Sequence, residues 1–266
     1  MKTSPAKSAS PLGRSLLRIY LKEARYDFLK LWRMPAYALP TILFPTMFYI
    51  LFGLIFAKRP GADSRIGLYY LATFGAFAVI AASLFALGVG VAGERGQGWL
   101  EVKRASPMPP MAYFTAKVIT SMTFGLIIVL ILMGLAIGLG GVRVTLAQAL
   151  TLLAVEVLGA VPFCAMGLAI GYFAGPNSAP AIVNLIYMPL AFFSGLWIPI
   201  GLFPRILQHV ALILPPYHLG EMALGVVGMG DGEANWVHMA VLGAFAALCL
   251  VLARVGFRRD EGKLYG

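Results

Sequence analysis

Residues 68–92 read LYYLATFGAFAVIAASLFALGVGVA, twenty-five residues without a charged side chain. As a helix such a run rises about 37 Å, enough to cross a hydrocarbon core of about 30 Å. The next residues, GERGQGWLEVKRASPMPP at 93–110, turn abruptly to charges, glycines and prolines. An oily rod ending in a polar, helix-breaking segment marks the point where a chain leaves a bilayer.

Five more runs of this kind flank the first, giving six expected spans: Ala36–Ala57, Leu68–Ala92, Val118–Gly140, Ala149–Phe173, Pro180–Ile200 and Trp236–Arg254. The composition agrees. Hydrophobic residues make up 60% of the 266 positions and charged ones 12%, about half the charged share of a soluble domain. The mean hydropathy is +0.84. The fold class is therefore an all-α integral membrane protein with a six-span domain over 35–257.

The net charge of +10 raises the question of a nucleic-acid partner, which the distribution of the charge answers. With the N-terminus inside, sixteen of the 21 Lys and Arg residues fall on cytoplasmic segments. That is the positive-inside bias of a multi-pass protein, so the sequence predicts cytoplasmic N- and C-termini and no nucleic-acid partner. The first 35 residues lack a short apolar core followed by a small-residue cleavage site, so the first span is expected to be retained. Cys164 and Cys249 fall within spans, where they act as small apolar residues.

Residues 1–13 are small, polar and basic, and read as a disordered cytoplasmic tail. Over 14–34, Leu17, Leu21, Ala24, Phe28 and Leu31 recur at helical steps, while Arg14, Arg18, Lys22 and Arg25 line another face. The pattern predicts an amphipathic helix lying in the membrane interface. Pro204, Pro215 and Pro216 cut the apolar stretch before the last span into pieces too short to cross, which predicts an outer re-entrant segment over 199–235. Residues 258–266 form the C-terminal tail. Two GLAIG copies, Gly134–Gly138 and Gly167–Gly171, place small residues four apart and predict close helix packing.

Motifs for chemistry are scarce. The sequence contains no G-x-x-x-x-G-K-[ST] phosphate loop, so no nucleotide site of that kind is expected in this chain and no cofactor is expected to belong to it. Gly88, Gly90 and Gly93 spell a dinucleotide fingerprint but end a span instead of following a strand. Ser194 and His238 are the one nucleophile–base pair conceivable at membrane depth, and no feature of the sequence brings them together. Three histidines, His209, His218 and His238, do not make a multi-histidine metal centre, and no metal site is expected.

Glu156 is an acidic residue well inside a span, where an ionisable group is costly and marks packing on protein or a cavity. It reads either as a hydrogen-bonded packing residue or as a substrate contact. Phe74, Phe77 and Phe85 on the second span, with Asn184, Tyr187, Phe192 and Phe193 on the fifth, read either as packing aromatics or as the lining of a route for an amphiphile. In the coupling loop, set at 93–117, Trp99, Leu100 and Val102 alternate with Glu101, Lys103 and Arg104. This predicts a short amphipathic helix, opened by a glycine turn and stopped by Pro107, Pro109 and Pro110.

Three segments carry a resemblance: LWRMPAYALPTILFPTMFYILFG at 31–53, GERGQGWLEVKRASPMPPMAYFTAK at 93–117 and FFSGLWIPIGLFPRILQHVALILPPYHLGEMALGVV at 192–227. In their order along the spans they resemble the membrane subunits of type-2 ABC exporters, the group that includes daunorubicin-resistance and nodulation-factor permeases. The resemblance implies a homodimer in the bacterial plasma (inner) membrane, with two cytoplasmic ATPase subunits that hold ATP and Mg. It places Glu94, Arg95, Gly98, Glu101 and Pro107 in the coupling region, to which the amphipathic reading adds Trp99 and Lys103. The expected function is export of an amphiphilic small molecule, a drug, antibiotic or lipid-like compound. The alternative is a proton-coupled carrier or membrane-embedded enzyme using Glu156.

The topology is directly testable. With cysteines introduced singly, a membrane-impermeant maleimide added from outside should modify position 231 and leave position 95 unlabelled. The reverse pattern would refute the orientation.

Overall fold

The computed structural model describes residues 11–59, 65–106 and 108–262, and every regular element among them is helical. The predicted tail therefore lies mostly outside the described residues, as do Pro107 and the last four positions. Helix α1 spans Pro11–Trp32. Helix α2, Pro35–Phe48, continues through a π-helical stretch, Tyr49–Ile55, and a short 3-10 turn, Phe56–Lys58. Helix α3, Ile66–Ser83, runs through a second π stretch, Leu84–Val89, into α4, Gly90–Gly96. The polar loop after α4 holds α5, Trp99–Ala105. Two long helices follow, α6 at Pro110–Gly138 and α7 at Leu146–Phe173. Then come α8 at Ala179–Phe193, α9 at Arg205–Ala211, α10 at Pro215–Val226 and α11 at Asn235–Gly262.

Local chemistry sets several of these boundaries. Prolines open α2, α6, α8 and α10, where the missing N–H costs nothing because the first turn has no acceptor for it. Thr145 and Gln148 form a reciprocal capping box at the start of α7, with Gln148 N donating to Thr145 Oγ1 at 3.2 Å and Thr145 N to Gln148 Oε1 at 3.0 Å.

Helix α3 with its π stretch is the axis of the bundle, flanked by α2, α6, α7, α8 and α10. Its inward residues Leu71, Phe74, Phe77, Ile80 and Leu84 are buried together with Ile128 and Leu132 of α6 and Phe163 of α7. Helices α2 and α11 sit on the outside and keep broad apolar faces exposed, including Leu39, Leu43 and Met47 on one and Leu248 and Val251 on the other. In water this would be an aggregation hazard. In lipid it is the surface of a membrane protein.

Five helical rods among the described residues are long and apolar enough to cross a membrane: Pro35–Lys58, Ile66–Gly96, Met111–Gly138, Leu146–Phe173 and Asn235–Asp260. The fifth expected span, Pro180–Ile200, differs. Its helix stops at Phe193 after 15 residues, about 22 Å of rise and short of the hydrocarbon thickness. The cause is a Schellman turn: Gly195 takes a φ of 81°, Leu196 N donates to Ala191 O at 3.3 Å and Gly195 N to Phe192 O at 3.4 Å. The chain then passes through α9 into α10, which packs on α3, α7 and α11. At the other end of the chain α11 continues to Gly262, so the first residues assigned to the C-terminal tail are helical. We call the end of the bundle that carries α1 and α5 the basic end, and the end that carries α9 and α10 the far end.

The amphipathic α1 does not use its apolar stripe uniformly. Ala24 and Leu31 are buried while Leu17 and Leu21 stand exposed; α1 lies against α6 where Phe28 stands 5.3 Å from Phe124.

The two GLAIG copies also part company. A Cβ on Gly171 would stand 2.8 Å from Leu87 O, and one on Gly167 would stand 3.0 Å from Ser83 O, whereas Gly134 and Gly138 meet nothing within 4 Å. Only the second copy is a close helix contact, of α7 on the π stretch. Gly171→Val should therefore lower stability by about 1–3 kcal/mol, the usual cost of overpacking, while Gly134→Val should change it little. Thermal unfolding in detergent reads both, and an equal response would refute the assignment.

Candidate functional site

At the basic end, α4 carries Glu94 and Arg95 into the interior instead of presenting them to a partner. Glu94 is 4% exposed, Lys117 1% and Asp27 6%. Glu94 Oε1 accepts from Lys30 Nζ at 2.6 Å and from Lys117 Nζ at 3.1 Å, while Tyr113 Oη donates to its Oε2 at 2.6 Å. Lys117 also donates to Asp27 Oδ1 at 2.8 Å. Two carboxylates and two ammonium groups thus neutralise one another where α1, α4 and α6 meet. Buried charge is tolerable only when paired in this way.

Arg95 points the other way along the same turn. Its guanidinium donates to the carbonyls of Gly171, Tyr172 and Ala174, and its Nε lies 3.6 Å from Asp260 Oδ1 of α11. A cation at the C-terminus of α7 meets unsatisfied carbonyls and the negative end of the helix dipole. Arg95 therefore ties α4 to α7 and α11, and Glu94 ties it to α1 and α6.

Beyond this knot the chain turns at Gly98, whose φ of 73° suits glycine, into α5. Lys103 pairs with Glu23 of α1 and sits 4.5 Å above the Tyr113 ring. Leu100 is buried, whereas Trp99 and Val102 are 53% and 61% exposed and Glu101 is also exposed. Helix α5 is thus fastened along one side and presents Trp99, Glu101 and Val102 on the other.

The expected coupling residues divide accordingly. Glu94, Arg95 and Lys103 act as internal fasteners, Gly98 makes the turn, and Trp99 and Glu101 face outward. Asp27, Lys30, Tyr113 and Lys117 belong to the same site and were not singled out from the sequence. The available signal was Lys117, a charge at the edge of the third apolar run, and Asp27, an acid among the bases of α1.

A groove of about 560 Å³ opens above the knot, lined by α2, the α3 π stretch and α8. Phe77, Phe85, Asn184 and Tyr187 of the predicted pathway line it. Tyr187 stacks on Phe77 at 4.9 Å and donates its hydroxyl to Phe77 O at 2.7 Å. Leu31, Tyr37 and Phe44 supply apolar wall on the opposite side, and Lys30, Glu94 and Gln97 close the groove toward the basic end.

The other pathway residues lie elsewhere. Phe74 is buried against Tyr70 and Phe48, Phe192 packs edge-on against Phe203, and Phe193 is exposed. Glu156 is buried between α7 and α3 with both carboxyl oxygens unpartnered. It fills the space left by Gly75, where a Cβ would stand 2.2 Å from its Oε1. Ser194 donates to Leu190 O at 2.5 Å and His238 pairs with His218, so that imagined hydrolytic pair is engaged in two other places.

Long apolar helices around a buried ionic knot, with a lateral groove above it and a short exposed helix below, define a multi-pass membrane protein. Residues 24–227 match the ABC-2 type transporter family, and the chain belongs to that family. Among curated relatives, the putative transport permease YvfS of Bacillus subtilis (strain 168) is 24% identical over 92% of this chain and 99% of its own. The inner membrane transport permease YhhJ of Escherichia coli (strain K12) is 26% identical over 64% of this chain and 46% of its own. The chain is accordingly a transmembrane ABC transporter permease, a transport subunit, and the family implies a partner ATPase.

The two glutamates of the loop give a sharp test. Glu94→Lys places a third ammonium beside Lys30 and Lys117 and should destabilise the protein by about 3–5 kcal/mol, the cost of breaking a buried pair. Glu101→Lys on the exposed face should stay within about 0.5 kcal/mol. Comparable losses in thermal unfolding would mean that Glu94 is not the centre of the knot.

Proposed function

We propose that the protein is the membrane half of an exporter, acting as a homodimer with two ATPase subunits that bind ATP and Mg. It carries an amphiphilic small molecule, a drug, antibiotic or lipid-like compound, outward from the cytoplasm or inner leaflet of a bacterial plasma membrane. Both termini face the cytoplasm, and α9–α10 form the re-entrant outer segment. The observation that carries the reading is the fastening of α5: an exposed Trp99–Glu101–Val102 face, tied to α1 through Lys103 and backed by α4, whose Glu94 and Arg95 hold α1, α6, α7 and α11.

The mechanics follow from those ties. A partner that closes on nucleotide pushes α5, and α4 cannot stay behind because Gln97 and Gly98 alone separate the two. Glu94 then loads α1 and α6, while Arg95 loads α7 and α11. Because α1 leads directly into α2 and α4 is continuous with the π stretch, both walls of the groove move with the loop. An apolar groove with a charged rim at the membrane surface suits an amphiphile, whose tail is sheltered and whose head stays near Lys30 and Gln97. The faces of α2 and α8 beside the groove, with Leu39, Leu43 and Leu185 exposed, are where the second copy would close it. A carrier or enzyme built on Glu156 has less support, since that residue lies outside the groove.

The test is reconstitution of the purified permease–ATPase complex in vesicles, with amphiphile-stimulated ATP hydrolysis and transport as readouts. Trp99→Ala should weaken ATPase association about 30-fold, as expected for a buried aromatic anchor worth about 2 kcal/mol, and Glu101→Lys should lower transport per complex. Both variants should keep the wild-type unfolding midpoint. Wild-type association and transport in both would refute α5 as the docking helix.

A further inference from the structure

The far end holds a second cavity, about 210 Å³, which the transport reading does not use. It lies between the start of α3, the turn after α8, and α10, and its polar lining is formed by Tyr69, Thr73, Ser194, Tyr217, Glu221 and Asp231.

The hydrogens available in this lining can be accounted for one by one. Tyr69 Oη donates to Gly195 O at 2.5 Å, Ser194 Oγ to Leu190 O at 2.5 Å, and Tyr217 Oη to Asp231 Oδ2 at 2.8 Å. Each hydroxyl has committed its one hydrogen and keeps lone pairs. Asp231 is further occupied at Oδ1, by Glu233 N at 3.0 Å and His238 Nε2 at 3.4 Å. Glu221 accepts Asp231 N at Oε2. Thr73 Oγ1 is buried with no partner, on a residue 1% exposed. Arg65 donates to Gly228 O at 2.7 Å.

The cavity is thus rich in acceptors, poor in donors and acidic, with one buried hydroxyl left over. Burial, followed by the charge of Asp231, pushes the Glu221 carboxyl up to about 7. Among the described residues no cation is set against that carboxyl, and a ligand bringing N–H donors and positive charge would supply what is missing.

We propose that this cavity binds a small primary ammonium compound, whose N–H groups donate to Glu221 and Thr73. Its hydrocarbon part rests on Leu196, Leu224 and Met229, which complete the wall. The buried His218–His238 pair, joined at 2.9 Å, stands behind Asp231, which His238 Nε2 approaches at 3.4 Å, leaving Glu221 Oε1 as the acceptor for the ligand. The site stands apart from the groove and requires neither the ATPase nor a direction of transport.

The experiment uses the full-length protein in detergent. Its unfolding midpoint is titrated with n-propylammonium chloride, with sodium chloride and tetramethylammonium chloride at matched ionic strength as comparisons. A ligand that binds the folded state raises the midpoint saturably. Propylammonium should do so, and tetramethylammonium, a cation without N–H donors, should not. Glu221→Gln should raise the half-saturating concentration at least tenfold and Thr73→Val several-fold, with Glu233→Gln unchanged. Equal responses to propylammonium and tetramethylammonium would overturn the proposal, as would unchanged half-saturation in Glu221→Gln and Thr73→Val. Should Glu221→Gln fail to fold, the comparison of salts and the Thr73→Val variant decide the matter alone.

Discussion

The pairing of Glu94 with Lys117 is the constraint on which the basic end depends. Neither charge tolerates burial alone, and each has a second opposite charge from α1, Lys30 for the glutamate and Asp27 for the lysine. Helix α1 is thereby fixed against the bundle by charge as well as by the Phe28–Phe124 contact. Its position in turn sets the entry angle of α2, since only Arg33 and Met34 separate the two. The groove inherits its outer wall from that geometry, and α5 inherits its orientation through Glu23.

Neutralisation inside the chain also explains how a loop of both charge signs can lie against a membrane protein without being a solvated connector. The charges that look like surface are mostly internal mortar. Trp99, Glu101 and Val102 are left outside, a mixed apolar and acidic set among the described side chains, of the kind that protein interfaces favour.

The spans were legible in the sequence because crossing a bilayer requires length and apolarity, which are one-dimensional properties. Helix α5 was legible for a similar reason, bounded as it is by Gly98 and the prolines around 109. The early stop of α8 was not. Residues 180–200 stay apolar throughout, and a Schellman turn needs only Gly195, one glycine among 30. The ionic knot was hidden because its partners are 64 and 90 residues apart, and a charged residue in a polar loop reads as exposed until its neighbours in space are known. The GLAIG copies show the same limit, since identical words sit on one helix facing Leu87 and on another facing open space. Of the pathway aromatics Phe77, Phe85 and Tyr187 face the groove, Phe74 the core and Phe193 the outside, because helical spacing puts aromatics on a stripe without saying which cavity that stripe meets.

The π stretch at Leu84–Val89 has a further consequence. A π turn accommodates one more residue than an α turn, and each residue of an α-helix advances it by about 100°. Helix α4 is therefore phased relative to α3 by a residue of slack held in the middle of a continuous rod. Taking up that slack would swing Glu94 and Arg95 around the helix axis without lengthening the loop or unwinding either flank. Phe85 and Val89, which line the groove, lie within the same six residues. On the export reading proposed above, torque and ligand contact would therefore share one segment of backbone, and a molecule wedged against Phe85 would act directly on the twist that orients the charged turn below it.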